Sequence, residues 1–180
     1  MAAVSTMVPL GTALPSFSLP DLDGAIVSSG DFAGVPLLVA FLCNHCPYVR
    51  HVEAGFAHLV AGTPELRVVG IASNDAATYP ADDAPGLREQ VGRTGWSFPY
   101  LVDESQDVGR AFGAACTPDF FLYDAAGALA YRGAMDASTP GNGVPVTGDL
   151  LADAIGRVLA GEPVPEPHRP SMGCSIKWRG

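Results

Sequence analysis

Cys43-Asn44-His45-Cys46 is the stretch whose residue types and spacing can do chemistry by themselves. Two cysteines separated by two residues fit on one helical turn, where their sulfurs can reach each other for a disulfide. Before the pair, Val35 to Leu42 is apolar at nearly every position, the pattern of a strand covered on both faces. After it, Val49, Val52, Phe56, Leu59 and Val60 recur at spacings of three and four. They predict a helix beginning near Cys46 with one buried stripe, stopped at Gly62-Thr63-Pro64. The cysteines therefore lie at a strand's exit and a helix's entrance. Free N–H groups and the positive end of the helix dipole favour a thiolate there. A thiol pKa of about 8.5 falls to roughly 3.5–7.5 in such a setting. Helical geometry exposes the first sulfur and shields the second, which makes Cys43 the attacking thiol and Cys46 the resolving one. Asn44 and His45, between the sulfurs, are candidates for tuning their ionisation.

Two other readings stay open. The pair can be half of a zinc site, although no second such pair exists, Cys116 and Cys174 stand alone, and His168 lies near the end of the chain. It can also be two inert core thiols, since free cysteine is among the most buried residue types.

The remaining sequence bounds what these thiols can serve. The chain has 180 residues, a length suited to one domain, with 48% hydrophobic and 16% charged residues. A net charge of −9 argues against nucleic-acid or anionic-membrane partners. The longest apolar run is too short to span a bilayer. The first basic residue is Arg50, so Met1 to Pro15 reads as a flexible lead-in rather than a targeting segment, and the expected location is the cytoplasm. In that compartment four cysteines are catalytic, metal-binding or buried before they are structural disulfides.

Other elements follow from pattern. Phe17–Leu19 and Ala25–Val27 flank Asp23-Gly24 as a hairpin, and Leu66–Ala72 is a second buried strand. Pro85–Gly92 and Gln106–Phe112 suit helices around a short strand at Tyr100–Val102. Phe120–Tyr123 and Leu129–Arg132 form another hairpin, and Asp149–Leu159 a last helix closed by Gly161. Four prolines between Pro163 and Pro170 make the next stretch extended. The chain divides into one domain, 1–161, and a tail, 162–180, whose Ile176, Trp178 and Cys174 predict docking on that domain. Strands and helices in this order describe an α/β fold with a mixed central sheet.

Phe41-Leu42-Cys43-Asn44-His45-Cys46-Pro47-Tyr48-Val49 resembles the peroxiredoxin-like branch of the thioredoxin superfamily. So do Ser73-Asn74-Asp75 with Tyr79-Pro80, Cys116-Thr117-Pro118-Asp119-Phe120-Phe121, and Gly173-Cys174-Ser175-Ile176-Lys177-Trp178. The resemblance covers essentially the whole chain from Phe17. It implies a thioredoxin-like fold with helices flanking the sheet, and a cis Thr117–Pro118 bond facing the cysteines. In thioredoxin-like proteins the backbone before this proline pairs with a bound peptide, so Thr117 and Pro118 are expected to position substrate.

The departures from the family are informative. A peroxiredoxin needs Thr and Pro three and seven residues before its peroxidatic cysteine, which aligns with the second cysteine of the pair. Cys43 and Val39 stand there. A thioredoxin carries a buried carboxylate six residues before its first cysteine, where Leu37 stands, and Trp just before it, where Leu42 stands. A positive His45 would favour the thiolate and give a couple less reducing than thioredoxin's roughly −270 mV. Cys116, two residues before Pro118, and Cys174 in the tail are expected as an auxiliary dithiol, with two buried small residues as the alternative. Arg132 reads as a strand-surface charge.

The expected function is a thiol–disulfide oxidoreductase, with Cys43 and Cys46 as its working pair. Its expected partners are a disulfide-containing protein or small-thiol substrate and a thioredoxin or glutathione system. No metal, flavin or nucleotide cofactor is implied. The rivals are a thiol peroxidase reducing hydroperoxides and a metal- or partner-binding module with redox-sensitive thiols.

Overall fold

Leu37–Phe41 has five consecutive apolar residues, each at most 1% exposed, and it forms the central strand of the protein. The computed structural model describes residues 2–180; Met1, the first residue of the expected lead-in, lies outside them. In chain order the elements are β1 (Ala2–Val4), β2 (Ser18–Pro20), β3 (Ile26–Ser28), β4 (Leu37–Phe41) and α1 (Pro47–Ala61). Then come β5 (Arg67–Ala72), α2 (Ala84–Thr94), β6 (Tyr100–Val102), α3 (Asp107–Ala111) and β7 (Cys116–Thr117). Last are β8 (Asp119–Tyr123), β9 (Leu129–Gly133), α4 (Asp149–Leu159) and β10 (Met172–Ser175).

The main sheet runs β6-β5-β4-β8-β9. β4 is parallel to β5 and antiparallel to β8, with Val39 opposite both Val69 and Phe121. The sheet is thus mixed and flanked by helices, a thioredoxin-like architecture, and β2 and β3 form the antiparallel hairpin before it. Alternation along β4 divides the interior in two. Leu38 and Ala40 join Val49, Val52 and Phe56 of α1, Leu87 of α2 and Leu151 of α4. Leu37, Val39 and Phe41 face Phe17, Val108, Phe112 and Ile176. Leu37 therefore points away from the core that holds Cys43 and Cys46.

The ends of the chain meet beside the main sheet. β1, β10 and β7 form a three-stranded antiparallel sheet, with Ala2 opposite Cys174 and Cys174 opposite Thr117. The lead-in predicted from the sequence is instead part of the body: beyond β1, the amides of Gly11 and Leu14 donate to Leu129 and Gly127. Its residues lack a periodic pattern, and the partner of β1 lies about 170 residues away along the chain.

A buried carboxylate secures this junction. Asp119 accepts hydrogen bonds from the Ser5 hydroxyl at 2.7 Å and the Ala115 amide at 3.4 Å. Ser5 in turn accepts from the Ser171 amide at 3.0 Å. Burial raises the Asp119 pKa from 3.8 to about 7, against these hydrogen bonds. The folded protein then keeps a proton that the unfolded chain releases near pH 4, so folding takes up a proton between the two values. This contribution is complete in acid and is lost as pH rises through about 7. Other groups titrate in the same range, so the informative quantity is a difference. Relative to Asp119→Asn, wild-type unfolding free energy should fall by up to about 4 kcal/mol between pH 4 and 7 and then level off. Denaturant melts at several pH values check it; a constant difference contradicts it.

Candidate active site

β4 delivers the chain into Cys43, and Pro47 opens α1 with its fixed φ at N1. Cys46 is the N-cap, in extended conformation. Both cysteines are fully buried and are recorded as free thiols, so the first sulfur is not the exposed one that helical geometry predicted. Thr117 meets both. Its hydroxyl lies 3.1 Å from Cys43 Sγ, and its carbonyl oxygen lies 3.2 Å from Cys46 Sγ, where it can accept from that thiol only in the protonated form. The Thr117–Pro118 bond is cis, as is Glu166–Pro167, which the sequence did not suggest.

Proximity pushes the ionisation of the two thiols in opposite directions. Cys46 is lowered to about 4, first by the hydrogen bond it accepts from Cys43, against desolvation, and then by the Cys174 thiol. The amides of Val49 and Cys174 add to this, although the Val49 contact falls short of a full capping hydrogen bond. Cys43 is raised well above the ordinary thiol value. It donates to Cys46, is desolvated, and faces the Asp82 carboxylate; only Thr117 opposes the rise. The sequence reading gave the depressed pKa to Cys43. In the structure the lowering falls on Cys46, first because the neighbouring Cys43 thiol favours its thiolate, while that same contact, burial and then the Asp82 carboxylate raise Cys43.

Asp82 is the site residue that sequence reasoning missed. One oxygen accepts from the amides of Asn44 and His45, at 2.8 and 3.0 Å. The other lies 2.5 Å from His45 Nδ1 and accepts from Asn74 Nδ2 at 2.8 Å. The buried carboxylate thereby fastens the loop between the cysteines to a segment 37 residues away. A close approach puts it there: a Cβ on Gly86 would lie 2.2 Å from the Ala81 carbonyl, so only glycine lets α2 start against the Pro80–Asp82 turn. Spacing gives no sign of this pairing. The available local signals were Asp83, which caps α2 by accepting from the Gly86 amide, and the tight turn before it.

His45 stacks on Tyr79 with ring centroids 5.3 Å apart. Its Nδ1 is engaged with Asp82, so a charge on the ring would be matched by that carboxylate. Asn44 holds its loop by donating to the Ala81 and Gly86 carbonyls and accepting from Arg93. Cys43 Sγ and ligand atoms of His45 and Asp82 lie within 4.8 Å of one another. Both Asp82 oxygens already accept hydrogen bonds, so a cation would have to displace them.

Removing the Asp82 charge while keeping its shape should ease ionisation of Cys43. In Asp82→Asn, residue-resolved alkylation of Cys43 is expected to begin at lower pH than in the wild type. An unmoved or raised profile contradicts the electrostatic role given to Asp82.

Cys116 and Cys174 do not come together. Cys116 Sγ contacts the carbonyls of Pro118 and Ser171 at 3.6 and 4.0 Å, and burial pushes its pKa up. Cys174 packs against the core that contains Cys43 and Cys46. Arg132 is buried rather than a surface charge, bound to the Val8 carbonyl, His168 Nδ1 and Glu166. The tail is fastened by Asn74, which accepts from the Lys177 amide at 2.8 Å, and by Asp75, whose amide donates to the Lys177 carbonyl. Trp178 packs under the Arg110 guanidinium at 4.6 Å.

With this geometry in hand, the relationships of the chain are informative. The model of the AhpC/TSA family matches residues 10–132. None of the curated proteins matches. Among solved structures, an uncharacterized conserved protein from Geobacillus kaustophilus is 42% identical, with 99% of this chain and 97% of that one covered and a TM-score of 0.96. A hypothetical protein from Sinorhizobium meliloti 1021 is 44% identical, with 98% of each chain covered and a TM-score of 0.92. A secreted Mycobacterium tuberculosis disulfide oxidoreductase homologous to E. coli DsbE shares the fold at 21% identity, with 80% and 95% covered and a TM-score of 0.63. That last likeness corrects the cytoplasmic expectation: the fold serves a secreted protein, so neither it nor the cysteine count assigns this chain to the cytoplasm. Among the described residues no helix is long and apolar enough to cross a membrane.

Proposed function

This chain belongs to the AhpC/TSA family, with a thioredoxin-superfamily redoxin fold, and from that premise we propose that it is a thiol–disulfide oxidoreductase working through Cys43 and Cys46. The observation that carries the reading is the pair of thiols at the mouth of α1, both in contact with Thr117. In the reduced protein the Cys43 proton passes along its hydrogen bond to the Cys46 thiolate. Cys43 then attacks one sulfur of a substrate disulfide. A Cys43–substrate disulfide forms, the substrate S–S bond breaks, and the departing sulfur takes the proton from Cys46. Cys46, again a thiolate, attacks Cys43 Sγ. The Cys43–Cys46 bond forms and the second substrate sulfur leaves, to be protonated by solvent. Two electrons have moved from the dithiol to the substrate. Asn44 holds the loop that carries both thiols, and Thr117 contacts both sulfurs; its backbone is already paired with Cys174 of β10, so the added-strand pairing expected beside Pro118 would require β10 to move aside. A thioredoxin or glutathione system would restore the dithiol.

Insulin reduction by the wild-type protein tests this directly: turnover above the background of the reductant alone is expected, and its absence contradicts the proposal. A second reading, hydroperoxide reduction at Cys46, draws on the thiolate at the helix cap. It would show as peroxide consumption lost in Cys46→Ser.

A further inference from the structure

Strand parity decides which of the remaining thiols belongs with the dithiol. Residues directly opposite in an antiparallel pair share a face, and successive residues alternate. Cys174 stands opposite Thr117, whose side chain meets Cys43 Sγ and whose carbonyl meets Cys46 Sγ. Cys116 stands opposite Ser175 on the other face, with its thiol turned to the Pro118 and Ser171 carbonyls. Cys174 also packs against the core cluster that contains Cys43 and Cys46, whereas Cys116 is in neither core cluster with them. Cys174 thus shares a sheet face with the residue that contacts both sulfurs of the pair. Access adds a second distinction. Cys43, Cys46 and Cys116 are buried, whereas Cys174 keeps part of its surface open.

Resting on the oxidoreductase reading, we infer that Cys174 is the port through which a low-molecular-weight thiol reduces the buried disulfide, by way of a Cys46–Cys174 bond. After substrate turnover the protein holds the Cys43–Cys46 disulfide. The Cys174 thiolate attacks Cys46 Sγ. The Cys46–Cys174 bond forms as the Cys43–Cys46 bond breaks, and Cys43 leaves as a thiolate and takes up the proton that Cys174 released. One disulfide replaces another, and no electron leaves the protein. An external thiol then attacks Cys174 Sγ, releasing Cys46 as a thiolate. A second external thiol attacks the resulting mixed disulfide. Two external thiols have become one disulfide, and the protein again holds three thiols. Burial and then the Cys46 thiolate push Cys174 up to about 11 in the reduced protein. The second cause disappears once Cys46 is in a disulfide, so Cys174 becomes a better nucleophile when its attack is needed.

Disulfide mapping of unreduced peptides tests this. Wild type, Cys43→Ser and Cys116→Ser proteins are each incubated with oxidised glutathione. A Cys46–Cys174 linked peptide is expected to dominate in Cys43→Ser, and to accompany Cys43–Cys46 in wild type and Cys116→Ser. With reduced glutathione as the only reductant, Cys174→Ser should recycle about tenfold more slowly than wild type. A wild type that forms Cys43–Cys46, with no Cys46–Cys174 peptide in any protein, overturns the inference and leaves the oxidoreductase reading standing. Unchanged recycling by Cys174→Ser overturns the port role. A wild type that forms neither disulfide overturns the oxidoreductase reading and this inference with it.

Discussion

Replacing Cys46 with serine should lower disulfide-reducing turnover by on the order of 10³-fold or more, and replacing Cys43 should do the same. The two losses have different origins. Without Cys43 there is no sulfur to carry the substrate, so no mixed disulfide forms. Without Cys46, Cys43 loses the acceptor of its proton and the thiolate that would resolve the mixed disulfide. Burial and the Asp82 charge still act on Cys43. A serine there cannot form an S–S bond, so any substrate captured by Cys43 should remain attached. Mass analysis of Cys46→Ser after exposure to a disulfide peptide is therefore expected to show a trapped adduct at Cys43 and no adduct at Cys116. Turnover within about tenfold of wild type in either variant contradicts the assignment.

Gly173→Ala should have the second largest effect, although the change adds one methyl group. A Cβ at this position would lie 2.0 Å from the Thr117 carbonyl oxygen and 3.1 Å from the Pro118 nitrogen. Both are backbone atoms, so no side-chain rotation relieves the clash. Either β10 leaves β7 or the Thr117–Pro118 loop shifts. The loop is what contacts both sulfurs, so stability and activity should fall together. The expected loss is about 3 kcal/mol of unfolding free energy. Met172→Ala, one residue earlier and 46% exposed, should cost less than about 0.5 kcal/mol. Denaturant unfolding of the two variants checks the contrast, and a Gly173→Ala protein as stable as Met172→Ala contradicts it.

The parts of this fold legible in the sequence are those with local causes. The apolar run ending at Leu42 became β4, and the three-and-four spacing from Val49 became the buried side of α1, with Val49, Val52 and Phe56 inside. Asp149–Leu159 is a helix with the boundaries that its pattern gives. What spacing could not show depends on contacts between distant segments. β10 reads Met-Gly-Cys-Ser, with little intrinsic preference for a strand, and forms because β1 and β7 lie on either side of it. The Asp82–His45 contact joins two loops 37 residues apart, and it brings a buried carboxylate to Cys43 from an element other than the one where Leu37 stands. The opposite shifts of Cys43 and Cys46 come first from each other, and then from burial and neighbours brought in by other segments, Asp82 for Cys43 and Cys174 for Cys46. The helix entrance was visible from the residues; which sulfur it would serve was not.

The most direct measurement is the pH titration of thiolate absorbance in the reduced protein, beside Cys46→Ser. Cys46 as the thiolate predicts one ionised sulfur at neutral pH, persisting in acid until a midpoint of about 4, and missing from the Cys46→Ser protein. A wild type whose first thiolate appears only at the pH of free cysteine, near 8.5, contradicts the account.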